Sequence, residues 1–209
     1  VEIVRPATRD EIILDVAYAE VASARWFGAY ALHLGDRAKT LAHLPLADWN
    51  ASDRDAARSV AAALREPVLG PILATHSQLF LASVRSGELA QVRLMNLPQF
   101  QRFAPTGMLS EFVKNLDAGK PMPDDGFANS FRAVRPTFDP ARMRGRPILV
   151  AEKREGPFIE AEGLTRMSCL LSMEAAGAAV PESIQVFLGI SPDLGRWPFF
   201  RYPALAGRS

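Results

Sequence analysis

The chain has 209 residues, 48% hydrophobic and 22% charged, with a formal net charge of +1. That content suffices for one good core and leaves room for a small second subdomain. The near-neutral balance excludes the global basic field by which a duplex-DNA binder usually announces itself. A single cysteine, Cys169, excludes an intrachain disulfide framework and a cysteine-built zinc cluster.

Ile12, Ile13, Val16, Val21, Ala24, Phe27 and Ala31 recur at helical spacing and predict one amphipathic helix over 10–34. Thr8 or Asp10 would cap it and Gly35 would stop it, with Trp26 and Tyr30 as anchors. A second helix is expected from Ser52 to about Arg65, ended by Pro67. Gly70-Pro71 then opens a third over 71–85, carrying Ile72, Leu73, Leu79, Phe80 and Val84, with His76 as a satisfied core imidazole. The first 86 residues thus read as a helical subdomain.

The character changes at Gly87. Residues 91–97 alternate as a strand and Pro98 closes it. Phe100 and Phe103 read as core, with a ligand pocket as the alternative. A helix follows over 107–118, with Gly119 after it. Residues 120–140 are broken by Pro121, Pro123, Gly126, Pro136 and Pro140 around a short helix at 127–134. The segment 131–146 holds Arg132, Arg135, Arg142, Arg144 and Arg146 against one acid, Asp139. They form either a solvated loop face or a phosphate clamp. Strands are predicted at 147–152, 157–161 and 183–190, with a helix at 164–177 between the last two. Ser191 would cap a last turn carrying Trp197, and 196–209, with Pro198, Pro203 and Gly207, would be a tail.

The stretch Glu162-Gly163-Leu164-Thr165-Arg166 holds the most chemistry. It sits where a strand hands over to a helix. Such a corner offers unsatisfied backbone N–H groups to a phosphate or carboxylate. Gly163 lets a ligand approach the backbone, and Arg166, one turn in, can fork onto the same anion. The plainer alternative is a turn glycine beside a first-turn acid that complements the helix dipole.

Residues 88–195, read as strand, helix, strand, strand, Glu-Gly-x-x-Arg, helix and strand, resemble the ParB/sulfiredoxin superfamily. It includes ParB N-terminal domains, sulfiredoxins and a free-serine kinase. The resemblance implies a small mixed-sheet domain over 87–195; with the helical N-terminal half, which it does not cover, packed on that domain, the expected fold class is α+β. It also implies a corner that binds nucleotide phosphates. Gly163, Thr165 and Arg166 match the kinase-type Asp-Gly-His-Thr-Arg, with Glu162 in place of Asp. Leu164 departs from it. Sulfiredoxins carry their catalytic Cys at that position and the kinase type carries His, so Leu164 argues against sulfiredoxin chemistry.

The expected ligand is therefore a nucleotide, ATP, ADP or CTP, with Mg²⁺ as its companion. Gly163, Leu164, Thr165, Arg166, Arg132, Arg135 and Arg146 would hold the phosphates. Glu160 and Glu162, sharing a face by strand alternation, would act as base or metal ligand, with Glu111 as another candidate acid. Phosphoryl transfer to a small-molecule acceptor, NTP hydrolysis, a non-catalytic binding module and a DNA-binding protein or nuclease all stay open. The helical half could serve as a homodimer surface. His33, His43 and His76 form no metal-binding pair. No apolar run reaches ~18 residues and no charged segment with an apolar core opens the chain. A cytoplasmic protein without a membrane partner is expected.

Overall fold

A five-stranded mixed sheet organises the chain. Its strands are β1 (Glu2–Pro6), β2 (Gln78–Arg85), β3 (Ile148–Ala151), β4 (Ile159–Glu162) and β5 (Ser183–Ile190), in the order β1-β2-β5-β3-β4. The structure, a computed structural model, describes residues 1–74, 78–122 and 125–201. The fold class is α+β, with helices in both halves. β3 and β5 run parallel, in register from Ile148↔Phe187 to Ala151↔Ile190, and every other pairing is antiparallel. A parallel pair needs a crossover. Here it comprises β4 and the helix α8 (Leu164–Ala175).

The N-terminal half departs from expectation in three places. First, the helix expected over 10–34 is two helices, α1 (Arg9–Glu20) and α2 (Phe27–Leu34). In an unbroken helix, residues ten apart lie about 15 Å apart along the axis. The break folds α2 back, so that the Tyr30 hydroxyl donates to Glu20 Oε2 at 3.0 Å. Second, Pro67 does not end the next helix. After the short α3 (Arg37–Leu41), α4 runs Ala51–Ile72 with Pro67 and Pro71 inside it. An interior proline costs about 3 kcal/mol in an exposed helix. Here the last turns bury Leu69 and Ile72 at 2% and 1% exposure, which offsets that cost.

Third, residues 78–85 are a strand, not the end of a helix. Gln78-Leu79-Phe80-Leu81-Ala82-Ser83-Val84-Arg85 pairs residue for residue with Ile190 back to Ser183. A short apolar run does not separate helix from strand by periodicity alone. β1 was not foreseen. One sheet thus takes strands from both sides of position 86. His76, expected on a helix, and Pro123, Pro203 and Gly207 lie outside the described residues.

The second half follows the expected order more closely. Residues 91–97 are the exception: a 3-10 turn (Ser86–Gln91) leads into extended chain that forms only two isolated bridges, Arg93 with Met108 and with Ile159. Arg93 N–H donates to the Phe158 carbonyl at 2.9 Å, and its carbonyl accepts from Glu160 N–H at 2.7 Å. This segment covers the outer edge of β4 instead of forming a strand. Then come α5 (Pro98–Phe103), α6 (Leu109–Asp117) and α7 (Asp125–Val134). Phe100, Phe103 and Phe112 are about 1% exposed and meet edge to face, so the two phenylalanines after the first extended segment are core. α6 and α7 pack on α8, and α1 packs on α4. Cys169 is fully buried on α8 and its thiol is pushed up to about 12 by burial, an inert structural group. Two 3-10 turns, Leu194–Arg196 and Pro198–Phe200, seat the start of the expected tail, with Phe200 3% exposed.

Candidate functional site

β4 ends at Glu162, and Gly163 takes φ of 97° to turn the chain into α8. A Cβ at Gly163 would sit 2.9 Å from Pro147 Cα, so the tight corner requires glycine for space as well as for conformation. The corner opens on a cavity of about 870 Å³. Its walls come from the α1–α2 turn, α4, α7, the 137–144 segment, β4 and the first turn of α8. The described residues hold no cluster of three or more His, Cys, Asp or Glu able to take a metal ion.

The expected corner residues Glu160, Glu162, Gly163, Leu164, Thr165 and Arg166 all line this cavity. Of the expected clamp arginines, Arg142 and Arg144 line it too, whereas Arg132, Arg135 and Arg146 do not. Arg146 donates to Asp15 Oδ1 at 2.6 Å through its guanidinium, and its backbone N–H donates to the other oxygen. Arg135 donates to Ser172 Oγ at 2.8 Å, which in turn donates to Asp117, more than two turns along α8 from the corner. Arg132 is exposed and reaches only Asn129 on its own helix. Glu111 accepts from Thr106 N–H and Oγ1 and caps that turn. The guanidinium groups at the cavity belong instead to Arg25, Arg65, Arg142, Arg144 and Arg166.

Two carboxylates and two arginines interlock at the back wall. Arg65 on α4 lies 2.8 Å from Glu20 by its Nε and contacts Glu162 by its Nη2. Arg166 Nη2 lies 3.5 Å from Glu162, while its Nη1 donates to the Arg144 carbonyl at 2.7 Å. The Arg65–Glu20 approach is an ion pair without hydrogen-bond alignment, because both atoms lack a hydrogen-bond partner. Burial holds Arg65 and Arg166 below the usual guanidinium range, and it pushes Glu20 up despite Arg65 and Tyr30. Gly145, at φ 67°, brings the loop against α1: a Cβ there would lie 2.6 Å from Ala19 Cβ. That close approach carries the Arg144 carbonyl to Arg166.

Glu160 differs from its neighbours. It is 2% exposed, and its carboxylate faces the Leu164 N–H that opens α8. Its Oε2 has no hydrogen-bond partner. Desolvation pushes it up to about 7, against the pull of Arg65 and Arg166. Part of the N-terminal N–H set expected to hold a phosphate thus faces the protein's own carboxylate. By helix geometry the N–H groups of Thr165 and Arg166 have no partner inside α8. Leu164 turns its side chain into the core at 4% exposure.

The front wall is less committed. Arg25 stands 5.1 Å from the Trp26 ring centroid and 4.5 Å from that of Phe127, and pairs with no carboxylate among the described residues. Arg144 lies over the Tyr18 ring at 3.9 Å and donates to the carbonyls of Leu41, Ala42 and Leu44, again without a carboxylate. Glu20, Arg65, Arg25 and Trp26 were not expected at the site. Two of them carry a readable signal: Glu20 follows Ile13, Val16 and Ala17 on the buried stripe of α1, and Arg65 follows Ala57 and Ala61 on that of α4. A charge on an apolar stripe marks a buried partner.

No family model, curated protein or solved structure matches the chain.

Proposed function

We propose that the cavity at the β4–α8 corner is a nucleotide site of ParB/sulfiredoxin type in a cytoplasmic protein, and that Glu160 is its general base. The observation that carries this reading is the buried Glu160 carboxyl: the residue lines the cavity beside the start of α8, and one of its oxygens has no hydrogen-bond partner. A base with an apparent pKa near the working pH is suited to proton transfer, and Glu160 is pushed up to about 7. The order β3, β4, Gly163 corner, α8, β5 supports the family reading. Arg25, cationic and without a carboxylate partner among the described residues, favours an anionic ligand. The volume suits a nucleotide-sized molecule. Mg²⁺ would arrive on the phosphates and take one or two carboxylates at most.

Glu162, bridged by Arg65 and Arg166, serves as a positioning residue that holds the corner. The acceptor of the phosphoryl group would be a water or a small-molecule hydroxyl. A second reading, binding without turnover, is favoured by Leu164, whose buried side chain brings no reactive group to the motif. The DNA reading loses support, because Arg135, Arg144 and Arg146 are held by internal partners and do not form a basic face.

Melting curves with ATP, ADP, CTP and GTP, with and without Mg²⁺, test the site, since a ligand of the native state raises Tm by mass action. A shift with one nucleotide, together with phosphate release that disappears in Glu160→Gln while the shift persists, is the expected result. A shift without any turnover supports the binding module. No shift at millimolar nucleotide overturns the proposal.

A further inference from the structure

We infer that the slot between Trp26 and Phe127 is the base subsite of this cavity and that Arg25, which fills it here, is a displaceable placeholder for a planar base. The inference rests on the nucleotide reading above and adds where the base goes. The slot's two walls come from distant parts of the chain: Trp26 from the α1–α2 turn and Phe127 from α7. Both line the cavity and both are half-buried.

The walls are fixed and the occupant is not. Phe127 packs edge to face on the buried Phe100, at 5.2 Å between centroids. Trp26 lies 4.7 Å from the guanidinium of Arg65, which Glu20 and Glu162 hold. Arg25 itself is exposed and has no ion-pair partner among the described residues. A guanidinium is planar and stacks on aromatic faces, so the slot already accepts a flat π system of small thickness. A nucleobase offers more ring area, and its stacking on an aromatic side chain is a stronger contact than an exposed cation–π pair. On ligand entry the base takes the slot and Arg25 swings out to a phosphate oxygen, exchanging its two ring contacts for a charge-assisted hydrogen bond. The α1–α2 break, which brings Trp26 to the cavity, lies in the half of the chain outside the ParB/sulfiredoxin resemblance.

Binding of the nucleotide that gives the largest Tm shift is compared with binding of inorganic tripolyphosphate. The proteins are the wild type, Phe127→Leu, Trp26→Leu and Arg25→Ala, each checked for an unchanged circular dichroism spectrum. In the wild type the nucleotide should bind better than tripolyphosphate and quench tryptophan fluorescence. Phe127→Leu and Trp26→Leu should weaken the nucleotide roughly tenfold and leave tripolyphosphate within about twofold, while Arg25→Ala should weaken both. If Trp26→Leu misfolds, Phe127→Leu with the quenching of Trp26 carries the test. Equal losses for both ligands, or nucleotide affinity untouched by either leucine variant, overturn the slot and leave the phosphate site standing. Failure of both ligands to bind the wild type overturns the nucleotide reading and the slot with it.

Discussion

The two walls of the cavity solve opposite problems. The back wall, β4 with the first turn of α8, binds its charges to one another: Arg65 and Arg166 are consumed by Glu20, Glu162 and a carbonyl. The front wall, the α1–α2 turn with α7, leaves Arg25 between two rings and unpaired with any described acid. A wall whose charges are mutually satisfied holds shape. A wall whose charge is unsatisfied has interaction energy left for a ligand. Substitutions should therefore separate, with stability lost at the back and binding lost at the front.

The largest effect is expected at Arg65. Arg65→Ala would leave Glu20, 2% exposed, and Glu162 without their shared cation. Breaking a buried pair from one side costs about 3–5 kcal/mol. For a chain of this size that corresponds to a fall in Tm of roughly 10 °C. Urea melts would measure it, and a loss below about 1 kcal/mol would mean that the network behaves as a surface pair and that the contrast between the walls is wrong.

Glu160 is the one back-wall group that is not neutralised, and its signature is pH. Its folded value of about 7 lies above the ordinary 4.5. Between those values the folded chain holds a proton that the unfolded chain has released. Stability therefore declines as pH rises through the window from about 4.5 to 7, and the full penalty is present above it. At about 1.4 kcal/mol per unit, this is on the order of 3 kcal/mol. Glu20 and Asp15 are raised in the same direction, while Asp53 and Glu11 are lowered. The test is therefore the difference between wild type and Glu160→Gln. The variant should gain stability relative to wild type from pH 5 to pH 8. Parallel curves would show that Glu160 does not titrate there and would remove its candidacy as base.

What could be read in advance follows the same division. The β4–α8 part of the back wall is local: a strand, Gly163 and the helix after it are contiguous in sequence, so Glu160 to Arg166 are legible together, whereas Glu20 and Arg65 reach that wall from α1 and α4 and are not. The front wall depends on tertiary contacts. Helical spacing of Val21, Ala24 and Phe27 carried the periodicity straight through the break that aims Trp26 at the cavity. Only the Tyr30–Glu20 bond shows why the chain turns there. The same limit affected residues 78–85, where an apolar run fits a helix until β5 supplies eight partners. It also affected the arginines at 132–146. They cluster in sequence, but each points to whatever acceptor the fold brings near. Arg144 alone of the five combines a place at the cavity with the lack of any carboxylate partner.

The smallest stability effect is expected at Arg25, and it is the sharpest check on the comparison. Arg25→Ala removes two ring contacts from an exposed side chain. Exposed cation–π contacts are worth about 0.5–1 kcal/mol each, but much of that offsets the entropy of holding a long side chain in place. The net change should be within about 0.5 kcal/mol, the usual range for surface substitutions. Side by side in the same urea melts, Arg65→Ala and Arg25→Ala should differ by several-fold, although both guanidiniums lie against Trp26. A large loss in Arg25→Ala would make the Trp26–Arg25–Phe127 stack part of the scaffold. A ligand would then have to unfold part of the wall to enter, and the front of the cavity would be closed for structural reasons instead of being held open for a base.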